Sequence, residues 1–258
     1  MGLFFKKRNV KPIFVGSYGN NMTRGMYVFH LDIDNGEILK KKFYKSLANP
    51  TALFKRERFI YVCYKNHTGK KTDGGLWQYA TMDLQFGLAG KATCQGKTYM
   101  SCFVNENRDF AYAVDYYNGE VVTIAILKQK IVKVTQTIKH EGHGLDSKRQ
   151  SEAHPHFIEQ TPDQKRMFVC DLGTDEVVLY KVGEKGRLER DEENSFQLAP
   201  GSGPKKMIFS PDGKYAYVLN ELSNTVCVYS YQDCQFTFIQ EIDTYPKDEY
   251  TKESLAGD

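Results

Sequence analysis

Lys206-Met207-Ile208-Phe209-Ser210-Pro211-Asp212-Gly213-Lys214-Tyr215-Ala216-Tyr217-Val218-Leu219-Asn220 is the stretch that decides the fold. It reads as a short strand, a tight turn and a second strand, with Pro211 and Gly213 where turn geometry favours them. After the loop Glu221-Leu222-Ser223-Asn224, Thr225 to Tyr231 alternates as a third strand and Phe236 to Ile239 forms a fourth. Four antiparallel strands joined by polar turns make one sheet. Such a sheet cannot bury both faces alone, so neighbours must stack on it.

The same unit recurs upstream. Its aromatic-centred strand appears as Ile13-Phe14-Val15-Gly16-Ser17, Ile60-Tyr61-Val62-Cys63-Tyr64, Ala111-Tyr112-Ala113-Val114-Asp115 and Met167-Phe168-Val169-Cys170-Asp171, before the copy at Ala216 to Asn220. The central aromatics Phe14, Tyr61, Tyr112, Phe168 and Tyr217 are 47, 51, 56 and 49 residues apart. A period near fifty with β-like units is that of propeller blades. The expected fold is therefore all-β, a β-propeller of four-stranded antiparallel blades forming one domain over 1–258. Its units fall at 11–48, 49–98, 99–153, 154–202 and 203–244, about five blades in all. The competing β-sandwich has no reason to repeat one aromatic-Pro-Asp-Gly register. The first unit opens at its second strand behind a basic leader, Met1 to Val10, and the polar 245–258 reads as the start of a missing sixth blade. Two further readings of this length are a smaller, closed five-bladed ring and self-association through open blade edges.

Composition narrows the function. With 35 Lys and Arg against 32 Asp and Glu, interspersed, the net charge of +3 argues against a dedicated nucleic-acid surface. The 17 Tyr and 16 Phe favour strands. The six cysteines show neither C-x-x-C pairing nor zinc-ligand spacing; Cys63, Cys170 and Cys227 sit in apolar runs as small hydrophobes. The N-terminal apolar stretch is too short for a signal peptide, and no run approaches the roughly 18 apolar residues of a membrane span. The expectation is a cytoplasmic chain with no nucleic-acid or membrane partner, no metal and no cofactor. Gly201-x-Gly203 precedes a strand rather than a helix, and Gly69-Lys70-Lys71-Thr72 lacks the upstream Gly of a phosphate loop, so neither reads as a nucleotide motif.

Gly201-Ser202-Gly203-Pro204-Lys205-Lys206, the turn Ser210-Pro211-Asp212-Gly213 and Asn220-Glu221-Leu222-Ser223-Asn224 resemble the lactonase family of seven-bladed propellers. Arg149-Gln150, His154-Pro155-His156, Thr161-Pro162-Asp163 and Asp171-Leu172-Gly173 agree, as do Gly16-Ser17-Tyr18, Gly25-Met26-Tyr27 and Asn49-Pro50. The family includes propeller-type 6-phosphogluconolactonases and carboxymuconate cyclases. The resemblance implies seven blades, of which about five are expected here. Where the family has Gly-Pro-Arg-His this chain has Gly203-Pro204-Lys205-Lys206, which keeps a charge but loses a guanidinium's bidentate fork.

Opening a lactone requires a group titrating near neutrality, and donors or cations near the developing oxyanion. His154 and His156, two apart on the inner strand of the fourth unit, share a strand face and are the expected catalytic pair, with Glu221 beside them by family resemblance. Arg149 and Lys205 are the expected anion holders, with Lys206 and Asn220 completing the substrate-binding set. The ligand implied is a small anionic lactone or carboxylate, with 6-phosphogluconolactone first. The alternatives are cycloisomerisation of a muconate on the same fold, and a non-catalytic binding or vestigial propeller.

Overall fold

The computed structural model of the chain describes residues 9–17, 25–44, 49–68, 71–82, 85–95, 97–246 and 254–257. The readings made on the leader Met1 to Arg8, on Gly69-Lys70 and on 247–253 lie outside them. The described strands form five antiparallel sheets arranged as propeller blades. Blade one has three strands: β1 (Val10–Ser17), β2 (Gly25–Asp32) and β3 (Ile38–Tyr44). Blade two comprises β4 (Pro50–Arg56), β5 (Phe59–Thr68), β6 (Lys71–Met82) and β7 (Gln85–Gln95). Blade three comprises β8 (Tyr99–Val104), β9 (Phe110–Asp115), β10 (Glu120–Leu127) and β11 (Lys130–Lys139). Blade four runs β12 (Pro155–Gln160), β13 (Arg166–Asp171), β14 (Glu176–Val182) and β15 (Leu188–Arg190), with the short β16 (Phe196–Gln197) added to β14. Blade five is β17 (Pro204–Phe209), β18 (Tyr215–Asn220), β19 (Thr225–Gln232) and β20 (Gln235–Asp243).

Side-chain alternation along the strands sorts residues between neighbouring blades. On β13, Met167 and Val169 pack toward blade three, while Phe168 and Cys170 pack toward blade five. On β9, Ala111 and Ala113 face blade two, and Tyr112 and Val114 face blade four. The recurring aromatic thus fills the seam to the next blade, which is why it repeats. On β18, Ala216 and Val218 join the seam with blade four, whereas Tyr217 and Leu219 line an open groove of about 330 Å³ with Ile208 and Val226. Among the described residues, no helix is long and apolar enough to cross a membrane.

One irregularity repeats in four blades. Where the innermost strand meets its neighbour, the register skips one residue between Pro50 and Ala52, Tyr99 and Ser101, Pro155 and Phe157, and Pro204 and Lys206. A bulge of this kind bends the strand and re-aims the extra side chain. The residues so placed are Thr51, Met100, His156 and Lys205, and all four line one cavity bounded by β4, β8, β12 and β17.

Candidate active site

The cavity between the innermost strands has a volume of about 400 Å³, and its polar lining comes from Thr51, Ser101, His156, Glu159, Lys205 and Lys206. A second cavity of about 550 Å³ adjoins it, lined by Tyr116, Tyr117, Lys148, Arg149 and His154. Met100 and His156 line both, so the two communicate at the level of the bulges.

His154 is set by blade four. Its backbone N–H donates to Asp171 Oδ1 at 2.7 Å, and Gly173 N–H donates to the same oxygen at 3.0 Å. The Asp171-Leu172-Gly173 motif therefore fixes the entry to β12. A side chain at Gly173 would run into the Glu152 carbonyl, its Cβ only 2.0 Å from that oxygen. The His154 ring stacks on Tyr116 with centroids 4.3 Å apart, and its Nδ1 lies 2.9 Å from the Tyr116 carbonyl oxygen. A carbonyl oxygen only accepts, so Nδ1 carries a proton and donates it there. His156 meets the same Tyr116 ring edge-on, at 5.8 Å. Burial pushes the Tyr116 hydroxyl above its ordinary pKa, against a hydrogen bond from Arg149 that works the other way.

Arg149 arrives on the connection between β11 and β12. Gln150, fully buried, anchors that connection by donating to Leu172 O at 2.9 Å and to Asp175 Oδ1 at 2.7 Å. Asp175 also accepts the N–H groups of Gly201 and Gly203, each at 2.7 Å, tying the connection to the approach of β17. Gly203 holds a φ of +62°, and a Cβ there would lie 2.4 Å from Leu222 Cγ. That position admits only glycine without rearrangement.

These anchors bring Arg149, Lys205 and Glu221 together. Arg149 Nη2 donates to Glu221 Oε1, and Lys205 Nζ lies 2.9 Å from Glu221 Oε2. Burial alone would push the Glu221 carboxyl up, but the hydrogen bonds from Lys205 and Arg149 outweigh it and hold the group below the usual carboxylate range. Glu221 is therefore an anion bridging two cations, and the trio keeps one net positive charge. Its described partners are those cations rather than a histidine. Lys206 stands one residue deeper along the cavity, with Nζ 5.7 Å from the Phe157 ring centre.

Asn220 is not brought to this cluster. It is fully buried, and its side-chain N–H donates to Thr225 Oγ1 at 3.1 Å and Cys227 Sγ at 3.2 Å, within blade five. Tyr116, Thr51, Met100 and Glu159 join the site without having been singled out from the sequence. A buried chain of groups also braces blade four: His140 Nδ1 lies 2.7 Å from Asp171 Oδ2, and His140 Nε2 lies 2.5 Å from the Tyr180 hydroxyl. Among the described residues, no three His, Cys, Asp or Glu side chains converge as a ligand set for a metal.

Propeller architecture with a cation-lined axial cavity defines the broad class. The particular family follows from comparison with known proteins: the model of the seven-bladed β-propeller lactonases matches residues 12–258, and the chain belongs to that family. An uncharacterized protein of Lactococcus lactis is 31% identical over 253 residues, covering 96% of this chain and 71% of that protein. The 6-phosphogluconolactonase of Bacillus subtilis is 29% identical over 252 residues, covering 95% of this chain and 69% of its own length. Among solved structures, a protein from Lactobacillus plantarum superposes with a TM-score of 0.82 at 27% identity, covering 94% of this chain and 69% of that one.

Proposed function

We propose that the chain hydrolyses a small anionic sugar lactone, with 6-phosphogluconolactone as first substrate. The observation that carries this reading is the placement of His156 and Lys205 at equivalent bulges of adjacent blades, facing one cavity, with the Arg149–Glu221–Lys205 cluster at its edge. Membership of the lactonase family and similarity to the Bacillus subtilis enzyme support it.

His156 takes a proton from water as the water oxygen bonds to the lactone carbonyl carbon. Negative charge then builds on the carbonyl oxygen, where the net positive charge of the cluster favours it. The ring C–O bond breaks, the imidazolium returns its proton to the departing alkoxide, and the new carboxylic acid loses its proton to solvent. His154, stacked on Tyr116, walls the site, and the same Tyr116 ring abuts His156. Glu221 keeps Lys205 and Arg149 in place rather than donating a proton, since the two cations stabilise its ionised form.

Steady-state kinetics on 6-phosphogluconolactone test these roles. His156→Ala is expected to lower kcat by about a hundredfold or more, within the usual range for general acid–base catalysis. Lys205→Met is expected to raise KM as well. An unchanged kcat in folded His156→Ala protein would remove His156 from the chemistry.

A further inference from the structure

In blades three, four and five the turn that leaves the recurring aromatic strand presents one residue at a shared place, directly after the strand ends. Tyr116 follows Asp115 of β9, Leu172 follows Asp171 of β13, and Glu221 follows Asn220 of β18. Blade four fills this place with a fully buried leucine, as packing alone would favour. Blades three and five fill it with a phenol and a carboxylate, and Arg149 donates a hydrogen bond to each. The cluster of Arg149, Lys205 and Glu221 therefore has an uncharged fourth member, supplied by the neighbouring blade.

Tyr116 also touches both histidines. Its ring stacks on His154 at 4.3 Å with the planes 10° apart, and it meets His156 edge-on at 5.8 Å. One side chain thus spans from the proposed proton acceptor to the cation Arg149. A guanidinium only donates, so the phenol oxygen accepts from Arg149 and keeps its own O–H to donate elsewhere. No acceptor for that O–H is found among the described residues, and Tyr116 lines the second cavity beside Arg149 and His156. Burial keeps the phenol protonated near neutral pH, while the hydrogen bond from Arg149 polarises it as a donor.

We propose that the Tyr116 hydroxyl, fixed by Arg149, donates a hydrogen bond to the carbonyl oxygen of the bound ligand and meets the negative charge that builds there when water adds. Addition of water needs a base and an oxyanion donor converging on one carbonyl, and Tyr116 stands against the base at one end and the cations at the other. The phenol keeps its proton throughout, so no bond forms or breaks at Tyr116. The proposal rests on the lactonase reading for the carbonyl in question and adds a catalytic residue to it. A donor aimed at the developing oxyanion acts more strongly on the transition state than on the neutral lactone.

Tyr116→Phe tests this, because it keeps the ring against both imidazoles and removes only the hydroxyl. Steady-state kinetics on 6-phosphogluconolactone are expected to show kcat lower by at least about tenfold, with KM changed by less than about threefold. The product 6-phosphogluconate carries a carboxylate where the oxyanion forms. Titration calorimetry is therefore expected to show it bound at least about tenfold more weakly by the variant, the loss typical of a hydrogen bond to a charged group. Tyr116→Ala removes the ring as well and is expected to lose more kcat than Tyr116→Phe, since His154 and His156 then lose their shared support. Lactone hydrolysis by the parent with kcat unchanged in Tyr116→Phe overturns the proposal and leaves the lactonase reading standing. A parent chain that opens no lactone yet binds 6-phosphogluconate through the Tyr116 hydroxyl supports the donor and sinks the lactonase reading alone. A folded parent that neither opens the lactone nor binds the product overturns both.

Discussion

Replacing Glu221 by Gln tests the physical state of the cluster. In the folded chain this carboxylate is 8% exposed and is contacted by Arg149 and by Lys205, whose side chains are 33% and 18% exposed. Hydrogen bonds to charged groups contribute about 1.5–3 kcal/mol each, and partial exposure of the cations places these two near the lower end. Glutamine keeps one acceptor oxygen but loses the charge, so roughly 2 kcal/mol of stability is expected to disappear. For a chain of this size that is a fall in Tm of about 4–8 °C at neutral pH. The pH dependence follows from the direction of the shift. A carboxylate whose folded pKa is depressed contributes stability that is present above its unfolded value and lost as pH falls through the folded value. The gap between parent and variant is therefore expected to stay constant from about pH 6 to 8 and to narrow below the unfolded value of about 4.3. Thermal unfolding followed by circular dichroism across this range reads both. A gap under about 1 °C at neutral pH, or one that does not narrow in acid, would refute the bridging role.

Other substitutions probe the supports of the site. Burial shifts Glu159 the opposite way, so its ionisation opposes folding above its folded pKa and ceases to do so below the unfolded one; Glu159→Ile is expected to be more stable than the parent at pH 8, with a smaller gap at pH 4, measured by urea unfolding. Gly203→Ala forces a Cβ toward Leu222 at a positive φ and is expected to cost at least about 1–2 kcal/mol in the same assay. Gln150→Ala removes donors from Leu172 O and Asp175, costing about 1–3 kcal/mol, and loosens the connection carrying Arg149. A higher KM for the lactone with little change in kcat is the expected kinetic sign.

The propeller was legible because its packing is periodic: Phe14, Tyr61, Tyr112 and Phe168 each fill a seam between blades, and Tyr217 holds the same strand position on the open face of blade five. The strands and turn of blade five, read from Ser210-Pro211-Asp212-Gly213, lie close to their observed places. The site was legible where motif residues carry charge, and Arg149, Lys205 and Glu221 do meet. What escaped was irregular. Strand alternation placed His154 and His156 on one face, but His154 precedes β12, and a bulge at His156 breaks the pleat between them. Both reach Tyr116, a turn residue with no pattern to mark it. Asn220 was read as substrate-binding from its neighbours, while a short amide at a strand end turned inward to bond Thr225 and Cys227. Glu159 becomes visible only when register shows that its equivalents are Phe54, Phe103 and Ile208.

The most direct measurement is the rate at which the chain, at micromolar concentration near neutral pH, opens 6-phosphogluconolactone compared with the spontaneous reaction in the same buffer. The expected result is saturable hydrolysis well above background that is lost in His156→Ala. A folded chain that leaves the lactone to decay at its spontaneous rate would contradict the proposed activity on that substrate.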